Sequence, residues 1–416
     1  MDYSQFLSKR SALRKPSAIR TLQSYLSIPN MISLSGGMPN PETFPYKNMS
    51  FRMHNGEKIT LGEANLRRAL QYSGTAGFPE LIDWLRKLQW EEHQPDCDYD
   101  ICLGNGSQDL LTKAFDMLID EGDSILIEKP TYVGALSYLR PLNVKFIEVE
   151  CDSNGINPKN LADILANWPK DKPYPKILYT VPTGCNPTGM IIPLYRKEQI
   201  YELAQKYNFL ILEDDPYYYL QFSPHRIPSF FSMDIDGRVL RFDSFSKVIS
   251  AGMRLGWVSG PRPLIHRIIL HSQVVNLHPS GLSQMITYLI LTRWGIGGFL
   301  AHVDEIATFY QEKRDIFCKS AQKYLNGIAE WNVPNAGLFV WIKLLDINDS
   351  TFLIKNKAMF KGVLLIPGHD FYPNSVPTSY VRASFSTATP KEIDEALKLL
   401  GEMIRDERNY GEGEYA

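Results

Sequence analysis

The feature that most constrains the fold is a succession of short apolar runs, each bounded by turn residues and separated from the next by a segment of helical period. Residues 124–127, 145–149, 177–181, 209–212, 239–242 and 255–259 read as strands. Residues 108–119, with apolar positions at 110, 111, 114, 117 and 118, and residues 197–207 read as helices. Such alternation predicts a largely parallel sheet covered by helices. In sheets of this kind ligands sit beyond the carboxyl ends of the strands. Polar clusters follow several of the runs directly: Glu213-Asp214-Asp215, Asp243-Ser244-Phe245-Ser246-Lys247 and, a little further on, Thr183-Gly184-Cys185-Asn186. A site assembled from these clusters is the first expectation.

After about residue 309 the texture changes to a helix, the strand-like 336–342, a further helix, and the runs 362–367 and 380–386. The expected organisation is an arm over 1–34, a large domain over 35–308 and a smaller α+β domain over 309–416, completed by part of the arm. The tail from Glu407 is polar and rich in Gly and Glu, and is expected to fray.

Charge and composition narrow the function. Lys and Arg number 44 against 46 Asp and Glu, a net charge of −2, which removes the electrostatic reason to expect nucleic acid or an anionic membrane as partner. No apolar run approaches the ~18 residues of a spanning helix. Five cysteines, without a CxxC pair, read as free thiols in a reducing compartment, and the eight histidines form no metal-binding pattern. A small-molecule ligand is the default.

The first 27 residues carry Lys9, Arg10, Arg14, Lys15 and Arg20 against the single acid Asp2, with six serines between them. That is the composition of a transit peptide, and it points to the mitochondrial matrix, with the cytoplasm as the alternative. An N-terminal arm is the second reading. Ser17 can cap a helix whose apolar face carries Ile19, Leu22 and Leu26.

Two motifs carry chemistry. Gly104-Asn105-Gly106 opens a helix after a short apolar segment, but position 109 is Asp, so a dinucleotide fingerprint is incomplete. What survives is a helix N-terminus with Ser107 and Gln108, suited to one phosphate. Ser244-Phe245-Ser246-Lys247 then places two hydroxyls and an amine at the end of a strand, and Arg254 follows seven residues later. Hydroxyls and guanidinium suit a phosphate dianion, which leaves the amine for a Schiff base with a phosphorylated aldehyde. Pyridoxal 5′-phosphate (PLP) is such a cofactor. It also needs an acid for its pyridine nitrogen, and Asp214 offers one.

In these motifs, and in Pro16 to Arg20, Ile32 to Gly37, Leu70 to Ser73, Asn186-Pro187-Thr188-Gly189, Glu213 to Tyr218 and Tyr380 to Phe385, the chain resembles the fold-type I, PLP-dependent class I/II aminotransferases. Within that family it is similar to the α-aminoadipate/kynurenine aminotransferases. The resemblance implies a large domain with a mainly parallel seven-stranded sheet between helices, plus a smaller α+β domain. It implies a homodimer with shared active sites. It also implies ping-pong transfer of an amino group from 2-aminoadipate, kynurenine or an aromatic amino acid to a 2-oxoacid, most naturally 2-oxoglutarate. A β-lyase or decarboxylase on the same scaffold, and an effector-sensing regulator, stand as the alternatives.

Carried over residue by residue, the resemblance makes Lys247 the Schiff-base lysine and proton shuttle, and Asp214 the partner of the ring nitrogen. Tyr217 and Asn186 would meet the phenolic oxygen and Tyr132 would stack on the ring. Ser107, Gln108, Ser244, Ser246 and Arg254 would hold the phosphate, joined by Tyr72 from the neighbouring subunit. Arg382 would grip the substrate α-carboxylate, Gly37 would approach the substrate with its backbone, Arg20 would meet a distal carboxylate, and Phe339 would line the aromatic pocket. Ser35, Cys185 and Asp109 depart from the residues usual in the family, Ala, Asn and Gln.

Overall fold

The structure, a computed structural model, describes residues 1–22, 28, 30, 32, 34 and 37–410. Leu26 of the expected arm helix, Ser33, Ser35 and Gly36 of the turn motif, and the tail 411–416 lie outside the described residues. The chain divides into two compact units, each built from two stretches: Met1–Glu121 with Ser229–Ala301, and Gly122–Pro228 with His302–Ala416. Residue 309 falls inside a helical stretch, Gly281–Leu325, that turns at Gly295, where the backbone leaves helical geometry at φ 64°.

In the first unit the strand Gly256–Pro261 runs antiparallel to both Tyr99–Gly104 and Val239–Ser244. The register sets Gly256 opposite Gly104 on one side and opposite Ser244 on the other. All six residues of Gly256–Pro261 and of Val239–Ser244 are buried, which is why both read as continuous apolar runs rather than alternating ones. The helix Ser107–Leu118 begins three residues after its strand ends, and its apolar face, Leu110, Leu111, Ala114, Met117 and Leu118, is fully buried.

The N-terminal arm is part of this unit's core. Phe6 is buried, and Ser8 donates from its backbone to Met117 O (2.7 Å) and from its hydroxyl to Asp116 O (2.7 Å). Ser8 Oγ also accepts from Ser11 N (3.1 Å), capping the short helix Lys9–Leu13. Arg10 and Arg14 both pair with the buried Asp116, at 2.9 and 2.6 Å. Two of the basic residues that gave the segment its transit-peptide character, Arg10 and Arg14, are thus employed in structure. Phe6→Ala is expected to cost about 3 kcal/mol, the usual range for emptying a buried aromatic site. A chemical-denaturation midpoint equal to that of the wild type would show the arm to be a passive appendage. The helix expected in the arm is present over Ala18–Leu22, with Arg20 N donating to Ser17 Oγ at 3.5 Å.

In the second unit, Leu210–Asp214, Ile177–Thr180, Ser124–Lys129 and Lys145–Asp152 run parallel in that order, with the two-residue strand Gly155–Ile156 antiparallel at the edge. A separate antiparallel sheet pairs Ala329–Trp331, Phe339–Leu344, Tyr380–Ser384 and Ile366–Pro367. It packs on a core that includes Phe317, Leu353, Val381, Phe385 and Leu397. The helix Pro390–Tyr410 runs through Glu407, where fraying was expected to begin. Among the described residues no helix is long and apolar enough to cross a membrane, and no cluster of His, Cys, Asp and Glu could hold a metal ion.

Candidate active site

The first unit carries Lys247 and the residues expected from the sequence to hold a phosphate. Lys247 ends a single 3₁₀ turn, Phe245–Lys247, that follows Val239–Ser244 directly. Ser244 Oγ caps this turn by accepting from Ser246 N (3.1 Å), and the fully buried Phe245 anchors it against Trp257, ring centroids 4.7 Å apart. A fixed turn after a rigid strand holds the half-buried Lys247 at the sheet's carboxyl end.

Arg254 donates from Nη1 to Ser246 Oγ (3.4 Å) and to Ala251 O (3.2 Å), and from Nη2 to Asn105 O (3.2 Å). It reaches them from a left-handed backbone conformation, φ 48°, uncommon for a residue with a side chain. Two glycines make the approach possible. A Cβ on Gly106 would lie 2.5 Å from Arg254 Nη2, and one on Gly256 would lie 2.6 Å from Ser107 N. Guanidinium, two serine hydroxyls and the N-terminus of Ser107–Leu118 therefore converge around a glycine turn, a donor set matched to a phosphate dianion. Gln108 occupies the next position of that helix.

Two further expected residues lie in this unit. Tyr72 is half exposed and meets His278 edge-on, centroids 5.9 Å apart. Arg20 donates from Nη2 to Ser73 O (2.9 Å), Leu277 O (2.9 Å) and Thr75 Oγ1 (3.1 Å), and its burial holds the guanidinium below its ordinary range. Gly37 is exposed, with nothing within 4 Å of where a Cβ would stand.

The second unit carries Asp214 and Arg382, the acid and the arginine expected from the sequence. Asp214 ends Leu210–Asp214, every residue of which is buried, and its Oδ2 accepts from Tyr179 Oη at 2.8 Å. Burial, then the adjacent Asp214 charge, pushes the Tyr179 phenol well above its usual range, so it stays a donor to that carboxylate. Tyr217 is buried three residues on. Its phenol is raised chiefly by burial and further by Tyr132 and Asp214. Its ring stands edge-on to Phe339, 5.9 Å between centroids.

Arg382 is sandwiched between rings, its guanidinium carbon 4.3 Å from the Phe339 centroid and 5.2 Å from that of Phe371. Nη1 donates to Asn186 Oδ1 at 2.7 Å, while the buried Nε has no hydrogen-bond partner among the described residues. The Asn186 loop owes its position to Gly184 and Gly337, at φ 55° and 76°. A Cβ on Gly184 would come within 2.8 Å of the Gly337 backbone. The buried Cys185 thiol lies 3.7 Å from Glu128 Oε2, and burial, then the Glu128 charge, pushes its pKa well up.

Tyr179, Phe371 and Asn105 were not expected from the sequence. Tyr179 sits on a strand whose register pairs Thr180 with Glu213, one residue short of Asp214, and only that pairing shows its reach. Phe371 ends the 3₁₀ turn Gly368–Phe371, and Asn105 acts through its carbonyl, so neither side chain carried a signal.

Residues 56–400 match the model of the family described as aminotransferase class I and II. The kynurenine/alpha-aminoadipate aminotransferase, mitochondrial, of Bos taurus is 46% identical over 98% of this chain and 100% of its own. The crystal structure of aminotransferase Aro8 from Candida albicans superposes with a TM-score of 0.89 at 27% identity, covering 98% of this chain and 99% of that one. The Pyrococcus horikoshii kynurenine aminotransferase, solved with PMP and kynurenine, gives a TM-score of 0.78 at 30% identity over 98% of each chain. The chain belongs to the class I and II aminotransferases. It is a PLP-dependent transaminase of fold type I, acting on an amino acid and a 2-oxoacid, and these relatives favour transamination over the lyase, decarboxylase and regulator alternatives.

Proposed function

We propose that the enzyme moves the amino group of 2-aminoadipate, kynurenine and aromatic amino acids to 2-oxoglutarate. The observation that carries this reading is the Arg382 guanidinium. It is planar, fixed between two aromatic rings and tied to Asn186 by one nitrogen, and its buried Nε still has a donor to give. That geometry suits the two oxygens of an α-carboxylate. The Phe339 ring beside it suits an aromatic side chain. The name of the Bos taurus relative supports the same choice.

Bound PLP supplies an aldehyde and an electron-accepting ring. Ser107, Gln108, Ser244, Ser246 and Arg254 hold its phosphate. Lys247 would hold the aldehyde through its amine and, when free, would take and return the substrate's Cα proton. Asp214 would keep the ring nitrogen protonated, with Tyr179 orienting the carboxylate. Asn186 Oδ1 is taken by Arg382, which would leave its amide N–H for the phenolic oxygen alongside Tyr217. Tyr132 would pack against the cofactor, and Gly37 would let the backbone approach the substrate. The active form is a homodimer in which Tyr72 of the partner subunit reaches the phosphate. The exposed apolar residues Leu13, Ile19, Ile32 and Leu34 of the arm give such a dimer a surface to bury. A mitochondrial matrix location follows the relative's name, with the cytoplasm as the alternative. The packed arm requires that residues 1–14 remain on the mature chain, which mass analysis of the N-terminus tests.

The deciding experiment is the visible spectrum of the PLP enzyme with each candidate amino acid, followed by 2-oxoglutarate. The first addition should bleach the aldehyde-form absorbance and the second restore it. Loss of absorbance with release of pyruvate and ammonia, or of CO₂, would replace this reading by a lyase or a decarboxylase.

Arg20 provides the substrate test. Arg20→Ala is expected to raise KM for 2-aminoadipate and 2-oxoglutarate ~10-fold or more, the effect of losing one charged hydrogen-bonded pair, with kynurenine nearly untouched. Equal changes for 2-aminoadipate and kynurenine would assign Arg20 to its contacts with Ser73, Thr75 and Leu277 alone.

A further inference from the structure

Asp109 is one of the three positions at which the chain departs from the family pattern, and it lies beside the phosphate donors. A carboxylate in the first turn of a helix favours the helix dipole, yet it opposes a phosphate brought to the same end. Asp109 Oδ2 accepts from Asn105 N (3.0 Å), from Lys113 Nζ (2.9 Å) and from Asn276 Nδ2 (3.4 Å). Oδ1 also lies 2.9 Å from Lys113 Nζ. Lys113, one helical turn on, is almost fully buried, and its ammonium also donates to Asn276 Oδ1 (3.0 Å). The acid is therefore matched by a buried cation, and Asn276 bonds to both.

The residue whose N–H Asp109 holds is also held by its carbonyl, where Arg254 Nη2 donates to Asn105 O at 3.2 Å. Space there is tight: a Cβ on Gly104 would lie 3.0 Å from Asp109 Oδ2. We infer that Asp109 is a positioning residue of the phosphate cradle: it fixes the backbone of Asn105, the residue whose carbonyl Arg254 is set against, while Lys113 cancels the charge that would repel the phosphate. This rests on the assignment of Ser107, Ser244, Ser246 and Arg254 to the phosphate.

The test reads PLP affinity rather than activity, by ultrafiltration of the holoenzyme and absorbance of the retained cofactor. Alanine at 109 alone would strand a buried lysine, which is strongly destabilising. The informative variant is therefore the double change Asp109→Ala with Lys113→Met, which removes acid and cation together. It should raise the PLP dissociation constant ~10-fold or more, the cost of one hydrogen bond to a charged group. Asp109→Asn with Lys113→Met keeps an oxygen for Asn105 N without stranding a buried cation, and should hold PLP within ~3-fold of the wild type. Combined with Arg254→Ala, the Asp109→Ala with Lys113→Met change should add much less than its effect alone, because both act through the Asn105 backbone. Wild-type affinity in the Asp109→Ala with Lys113→Met variant overturns the inference, as does an equal loss in the Asp109→Asn with Lys113→Met variant, or full additivity with Arg254→Ala. Arg254→Ala itself separates the two levels. If it leaves PLP affinity unchanged, the cradle assignment fails; if it weakens binding while the Asp109→Ala with Lys113→Met variant does not, only the role of Asp109 fails.

Discussion

Lys247→Ala is expected to abolish turnover, by more than ~10³-fold in kcat, while the protein still retains PLP through the phosphate donors. Anchoring and chemistry reside on different groups. Arg254 and the serine hydroxyls are set by the Asn105 carbonyl, the 3₁₀ turn and the strand register, none of which involves the Lys247 amine. The turn itself is held by Phe245 against Trp257, so shortening the lysine leaves its backbone in place. What disappears is the only amine in the Ser244 to Lys247 motif that can bond to the aldehyde and then move the Cα proton. The measurement pairs kcat with the PLP content after ultrafiltration. Turnover near the wild-type value would remove the catalytic assignment, and loss of PLP together with turnover would show that the phosphate donors alone do not anchor it.

Much of this arrangement was legible in the sequence because apolar runs and the polar residues that end them are local signals. The expected strand 239–242 is Val239–Ser244, and 209–212 is Leu210–Asp214. The extension by two residues at each carboxyl end carries Ser244 and Asp214, the residues with a chemical use. The direction of Gly256–Pro261 was not legible, since a fully buried strand has the same pattern whether its neighbours run parallel or antiparallel to it. Contacts that depend on register or on loop geometry were equally hidden. Tyr179 fell inside the expected strand 177–181 with nothing to single it out; its hydroxyl, donating to Asp214, shows only in the structure. Asp109 read as a departure from a pattern, and its meaning came from Lys113 one turn away and Asn276 far along the chain. The basic arm shows the converse. Composition alone suggested a removable leader, and the pairs to Asp116 give those charges a use in the fold.

Asp214→Asn should keep the fold and the cofactor and still lose ~10³-fold in kcat. The substitution is nearly isosteric, and an asparagine oxygen can still accept from Tyr179 Oη, so the local geometry survives. The negative charge does not survive. A carboxylate buried at the end of a strand in which every residue is buried acts through a low dielectric, where its attraction for a protonated ring nitrogen is far larger than in water. That attraction counts most when the ring accepts electrons from the substrate carbon. Its removal therefore raises the barrier more than it weakens the ground state, and kcat falls more than PLP affinity. Tyr179→Phe provides the scale. It leaves the charge and removes one hydrogen bond to it, and should cost ~10-fold. Measured with PLP fully bound, a loss below about tenfold for Asp214→Asn would contradict the role. A loss for Tyr179→Phe as large as that for Asp214→Asn would shift the weight from the charge of Asp214 to its orientation.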